Sequence, residues 1–359
     1  MQVLNWIIAG FALLGALDRL MGNKFGIGEE FERGFELFGS LALSMIGMIV
    51  LVPLLADLLQ PALTVLHETL GMEPSILPAS LIANDMGGAA LSVQVAADAE
   101  LGMFNALVVS CMMGGTIAFT IPVSLTAVPR DKHRELLLGM LCGIVTIPVG
   151  CLAAGVLAKL PFGLLLGNLL PLLLFSGLLA VGLALCPEFC AKVFRILGII
   201  IKALITVGLA LAVLKYLTGI ELIEGLTSLE DAAAVSLSCS IFLAGVLPML
   251  SLVSRLIGRP MRALGRAMKV NETSVMGFVA TLASSITTFA MMEKMDKKGV
   301  MLNSAFAISA AFVFADHLAF TMAFHAPYVG PVIAAKLVGG LTALALAWLL
   351  SRRLCREEA

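Results

Sequence analysis

Two carboxylates stand where carboxylates are costly. Asp85 lies midway along the apolar segment 75–96, beside Asn84 and just before Gly87 and Gly88. Asp316 and His317 lie between Phe314 and Phe320 in the apolar stretch 299–325. A charge at the centre of a bilayer costs about 2.5–3.5 kcal/mol on insertion scales, so such residues are rarely kept without a task. No lysine or arginine is close to Asp316 in sequence. A lone acid of this kind suits a small organic cation, or a proton carried with histidine as relay. The glycine pair permits a sharp turn and a close backbone approach to a ligand. Asn105 and Asn303 each donate and accept, which suits a hydroxyl. Thr287 and Thr321 offer hydroxyls of their own. The candidate substrate-binding set is therefore Asp85, Asn84, Asp316, His317, Asn105, Asn303, Thr287 and Thr321. Each has a plainer role beside it. The acids would serve in structural ion pairs, the asparagines as glue between helices, and the threonines by bonding their own helix backbone.

The elements that must position these residues are membrane helices. Of the 359 residues 60% are hydrophobic and 13% charged, and the mean hydropathy is +1.04. A soluble domain carries about 25% charged residues. Many apolar runs reach the ~20 residues that cross a bilayer. A net charge of -1 gives no reason to expect nucleic acid as a partner. Seven cysteines, an odd number placed in apolar runs or near cytoplasmic ends, argue against a disulfide framework. Cys186 and Cys190 have no second ligand pair, and His67-Glu68 lacks the second histidine of a zinc-protease helix, Gly71 standing there instead. No metal, cofactor or enzymatic activity is expected. The amino terminus has no basic region ahead of its apolar run and reads as a retained helix.

Basic loops fix the sidedness, because lysine and arginine stay cytoplasmic. Full crossings are expected over 3–20, 37–59, 101–128, 134–158, 162–185, 196–214, 232–254, 299–325 and 331–350. Segments 75–96 and 272–293 are interrupted by polar residues and glycine. The second is flanked on both sides by basic loops, so it must enter the membrane and turn back. Gly102-Met103-Phe104-Asn105 recurs loosely as Gly299 to Asn303, and Ala118-Phe119-Thr120 as Ala319-Phe320-Thr321. The loops around the first copy are acidic (Asp57, Glu68, Asp98, Glu100) and those around the second basic (Arg255 to Lys298). The two copies should be upside down relative to each other, an arrangement that places a transporter's site where they meet. The expected fold is an all-α polytopic membrane protein of about nine transmembrane helices and two re-entrant hairpins in an inverted repeat. The first repeat covers 1–158, a connecting helix 159–190, the second repeat 191–351 and a cytoplasmic tail 352–359. Arg259, Arg262, Arg266 and Lys269 share a helical face, read as an interfacial surface that fixes orientation.

The hairpin stretch Leu77-Pro78-Ala79-Ser80-Leu81-Ile82-Ala83-Asn84-Asp85-Met86-Gly87-Gly88, with Ser284-Ser285-Ile286-Thr287-Thr288 and Phe314-Ala315-Asp316-His317-Leu318-Ala319-Phe320, resembles the ethanolamine-utilisation permease family of bacteria over nearly the whole chain. The resemblance implies uptake of ethanolamine across the bacterial inner membrane by a secondary carrier or facilitator, with ethanolamine and membrane lipid as partners. A homo-oligomer, dimer or trimer, is a further expectation. The chemistry suits the residues: a carboxylate for the ammonium, Asn, Ser or Thr for the hydroxyl. A channel-like pore for a small amine is the alternative. A membrane enzyme acting on lipid headgroups is a third, and it would need a nucleophile or metal constellation that the sequence lacks.

Overall fold

The structure is a computed structural model that describes the backbone of residues 2–357, and their side chains apart from 2, 254, 256–266 and 353–357. Every regular element among the described residues is helical, as the apolar periodicity requires. Among the described residues, eight helical stretches are long and apolar enough to cross a membrane. The chain runs α1 (Gln2–Leu20), α2 (Gly28–Leu70), α3 (Ile76–Leu81), α4 (Gly88–Val95), α5 (Ala99–Phe104) and α6 (Ile121–Ala127). It continues with α7 (His133–Leu157), α8 (Phe162–Leu185), α9 (Pro187–Thr218), α10 (Leu229–Met268), α11 (Glu272–Ala283) and α12 (Ser285–Met291). Last come α13 (Lys297–Ala310), α14 (Asp316–His325) and α15 (Val329–Glu357). Between α5 and α6 the backbone stays wound but widens into π-helix over Asn105–Gly114 and Thr116–Thr120. Arg259, Arg262 and Arg266 of the expected basic face, and Cys355, lie outside the described side chains.

A membrane protein is apolar outside as well as inside, and this one is. Leu170, Leu174 and Leu178, one turn apart on α8, are 56%, 61% and 72% exposed. Ile199 and Ile200 on α9 are likewise exposed. By contrast α13 is buried from Gly299 to Ala310 and forms the centre of the molecule. It packs along α7 and α15, and glycines permit the approach. A Cβ at Gly139 would come 2.2 Å from the Met301 carbonyl, and one at Gly143 would come 2.5 Å from Ile308 Cβ.

The two interrupted segments are hairpins whose ends are tied together. In the first, the Glu73 carboxylate accepts from the amides of Ala97 (2.9 Å) and Asp98 (3.2 Å). In the second, Asn271 donates its amide to Asp296 (3.0 Å) and its side-chain NH2 to the Lys294 carbonyl (2.9 Å). Lys132 Nζ closes the second exit by donating to the carbonyls of Met292, Glu293 and Met295. Asn105 and Asn303 serve the same end. Asn105 Nδ2 donates to Ser75 Oγ (2.9 Å) and pairs reciprocally with Asn168. Asn303 Nδ2 donates to the Ser274 carbonyl (2.9 Å).

One expected helix is two. The stretch 299–325 holds no proline, and its one glycine stands at the helix start, so it reads as continuous, yet the chain unwinds at Ala311–Ala315 between α13 and α14. The unwound amides are not orphaned. Phe312 N–H donates to the Thr281 carbonyl and Phe314 N–H to the Leu282 carbonyl, both at 3.1 Å. These acceptors are the loose carbonyls at the end of α11, so two broken helices satisfy each other, as apolar surroundings demand. Phe312 has φ +61°, a left-handed conformation that an aromatic residue rarely holds. The first hairpin docks without a break. Gly114 in the π-helix lies so close that a Cβ there would be 2.2 Å from the Ile82 carbonyl and 2.6 Å from that of Ala79.

Candidate functional site

The Leu37–Ser44 stretch of α2, the unwound tip 82–87, the π-helix, the α13–α14 break and α15 meet around one cavity of about 360 Å³. Three of the expected residues line it together: Asp85, Asp316 and His317. Local structure explains how each gets there. Gly87 holds φ +91°, which stops the short turn Asn84–Met86 and starts α4, leaving Asp85 at the hairpin tip. Asp316 opens α14, where the unpaired amides of a helix start favour negative charge. His317 follows; its Nδ1 is buried with no hydrogen-bond partner. Both aspartates are half-buried.

Apolar and aromatic groups supply the rest of the wall. Phe119 and Phe312 meet edge to face at 5.6 Å, and Phe312 lies 5.5 Å from the His317 ring. Ring faces attract cations within about 6 Å. Thr120, Ser40 and Ser44 add hydroxyls to the lining. Ser40 and Ser44 spend their protons on their own helix, bonding the carbonyls of Leu37 and of Ser40 or Leu41.

Five expected residues lie elsewhere. Asn105 and Asn303 are fully buried in the hairpin tethers, and neither lines the cavity. Thr321 Oγ1 donates to the His317 carbonyl (2.6 Å), bonding its own helix. Asn84 is fully buried beside the tip, with neither side-chain atom partnered, and is also absent from the lining. Thr287 is exposed and lines a second cavity of about 440 Å³. Leu37, Ile286, Phe312 and Asp316 line both cavities, so the two adjoin. The second reaches Glu30 and Arg33 near the start of α2, paired at 3.7 Å.

The acids are not uncompensated, as their sequence neighbourhood suggests. Lys336, from α15, lines the same cavity. It is 1% exposed, and its ammonium donates to the Cys111 carbonyl at 3.3 Å. The sequence carried the sign: a single lysine within an apolar helix, subject to the same cost that singled out Asp85.

A many-helix membrane protein with a charged internal cavity, walled by two hairpins and a broken helix, belongs to the class of polytopic permeases. Within that class, the chain belongs to the family described as ethanolamine utilisation protein EutH, whose model matches residues 1–350. It is 37% identical over 357 residues to a probable ethanolamine permease of Listeria monocytogenes, covering 99% of this chain and 96% of that protein. Proteins of the same description from Salmonella typhimurium and Escherichia coli are each 38% identical, covering 97% of this chain and 95% of theirs. No solved structure matches it. The chain is thus a transporter and not an enzyme.

Proposed function

We propose that this permease carries protonated ethanolamine across the bacterial inner membrane as a secondary carrier, with the ammonium held in the central cavity. The observation that carries the reading is the convergence of Asp85, Asp316, His317 and two phenyl rings on one cavity between the hairpins. A small primary ammonium needs a carboxylate and tolerates ring faces. Its single hydroxyl has Thr120 within the same wall. The relatives' descriptions point to the same substrate.

The hairpins are the proposed re-entrant elements of an inverted repeat, 1–158 and 191–351 with the connecting helix 159–190 between them. The matched tethers favour it: Asn105 reaches Ser75 in one half and Asn303 reaches Ser274 in the other. Contacts among basic segments favour a cytoplasmic side for the second hairpin's ends. Lys132 binds 292–295, Lys298 Nζ donates to the Met268 carbonyl, and Arg255 donates to the Phe25 carbonyl. The cavity that reaches Glu30 and Arg33 then opens inward, with Ile286 and Phe312 between it and the central cavity.

The test is counterflow of labelled ethanolamine in proteoliposomes, run with and without sodium and across pH. A carrier accumulates label against its gradient when preloaded with unlabelled substrate. Flux that neither saturates nor shows counterflow marks a pore instead, and no flux at all removes ethanolamine as the substrate.

A further inference from the structure

The cavity contains two carboxylates and one ammonium, and that inventory has a consequence for selectivity. With a neutral His317, Asp85 and Asp316 contribute two negative charges and Lys336 one positive, leaving a net charge of -1. Lys336 is buried, and the hydrogen bond it makes is to a carbonyl, which leaves its charge uncompensated by that contact. It is held on the π-helix at Cys111, and the hairpin tip that carries Asp85 packs against that same π-helix, whereas Asp316 also lines the second cavity with Arg33, itself paired with Glu30 at 3.7 Å. The helix that carries Lys336 cannot easily withdraw it. α15 packs closely along α7 and α13, with Gly339 and Gly150 in near contact: a Cβ on Gly150 would come 2.4 Å from the Ala335 carbonyl.

We propose that Lys336 is a resident counter-cation that neutralises Asp85 and leaves Asp316 as the one free negative charge, so that the cavity takes a single monovalent ammonium and rejects dications. The proposal deepens the ethanolamine reading and rests on it for the substrate. It also explains why a transporter of cations keeps a cation in its own site. Without Lys336 two acids would face each other in low dielectric, where like charges repel strongly, and a dication would satisfy them better than ethanolamine.

The experiment compares wild type, Lys336→Met, Asp85→Asn and the double variant, measuring equilibrium binding of ethanolamine and of 1,4-diaminobutane, doubly charged at neutral pH, to the purified full chain. Asp85→Asn is expected to weaken ethanolamine binding roughly 30-fold or more, as loss of one member of a buried charge pair does. Lys336→Met is expected to shift the preference toward the diamine by about tenfold, since one more buried pair forms with it. The double variant, with the wild-type net charge, is expected to regain at least about tenfold in ethanolamine binding over Asp85→Asn, the non-additivity that marks coupled charges. A double variant as poor as Asp85→Asn, or an unchanged diamine preference in Lys336→Met, would overturn the proposal. Melting temperatures of the four proteins test the pairing without any ligand: each single change lowers the midpoint, and the double recovers part of it. Additive losses would refute the pairing. Failure of wild type to bind ethanolamine, with the pairing intact, would instead refute the choice of substrate.

Discussion

Asp316 is the residue on which most depends. It lines both cavities and stands at the start of α14, and the proposal gives it the charge that a guest ammonium meets. Asp316→Asn keeps the shape and removes the charge. Uptake by that variant should fall to background while the protein still inserts and purifies as wild type; uptake within twofold of wild type would show that the ammonium is held elsewhere. The two acids and the histidine were legible because an ionised side chain in an apolar stretch is expensive anywhere. Lys336 obeys the same rule, but its nearness to the acids is set across the fold and not along the chain, so sequence neighbourhood hides it. The asparagines lie outside the cavity lining for a related reason. An amide that suits a hydroxyl suits a backbone carbonyl equally well, and sequence does not say which one is near. Asn105→Ala therefore tests stability rather than binding. It strands Asn168 and takes one of two hydrogen bonds from Ser75, and should cost about 1–3 kcal/mol, read as a lower melting temperature with the affinity for ethanolamine little changed. Lost affinity at an unchanged melting temperature would return Asn105 to the site.

At the scale of elements, the hairpins and the break make the site possible. Breakers in the sequence marked both hairpins: Pro78, Asn84, Gly87 and Gly88 in one, Ser284 and its neighbours in the other. The break at Ala311–Ala315 had no such mark. Its cause is an exchange of hydrogen bonds with Thr281 and Leu282, which lie thirty residues away in the chain. Helix propensity sums local preferences and is blind to a distant pair of carbonyls. The first half solves the same docking problem with Gly114, whose missing side chain lets the Ile82 and Ala79 carbonyls approach. Gly114→Ala should displace the first hairpin. Transport is expected to be lost, with a melting temperature lowered by several degrees, as overpacking costs about 1–3 kcal/mol. A variant that transports normally would mean that the tip is free to retreat without consequence.

For the molecule as a whole, composition alone points to a chain that lives in a membrane, and the basic loops give its proposed sidedness. The long α2 outruns the expected crossing 37–59: 43 residues at 1.5 Å each is about 64 Å, twice the thickness of the hydrocarbon core, and its ends carry polar residues such as Glu29, Glu30 and Glu68. The proposed sidedness predicts that single cysteines at Lys297 and Lys269 are modified by an impermeant thiol reagent from the cytoplasmic face, and one at Asp98 from the opposite face. Labelling of 98 and 297 from the same side would dissolve the inverted arrangement. The central claim, that one cavity carboxylate recognises the positive charge of the guest, is met most directly by titrating purified protein with ethanolamine and with ethylene glycol, its uncharged analogue. Wild type should bind the amine and ignore the diol, and Asp316→Asn should bind neither; equal binding of amine and diol, or undiminished amine binding by the variant, would contradict it.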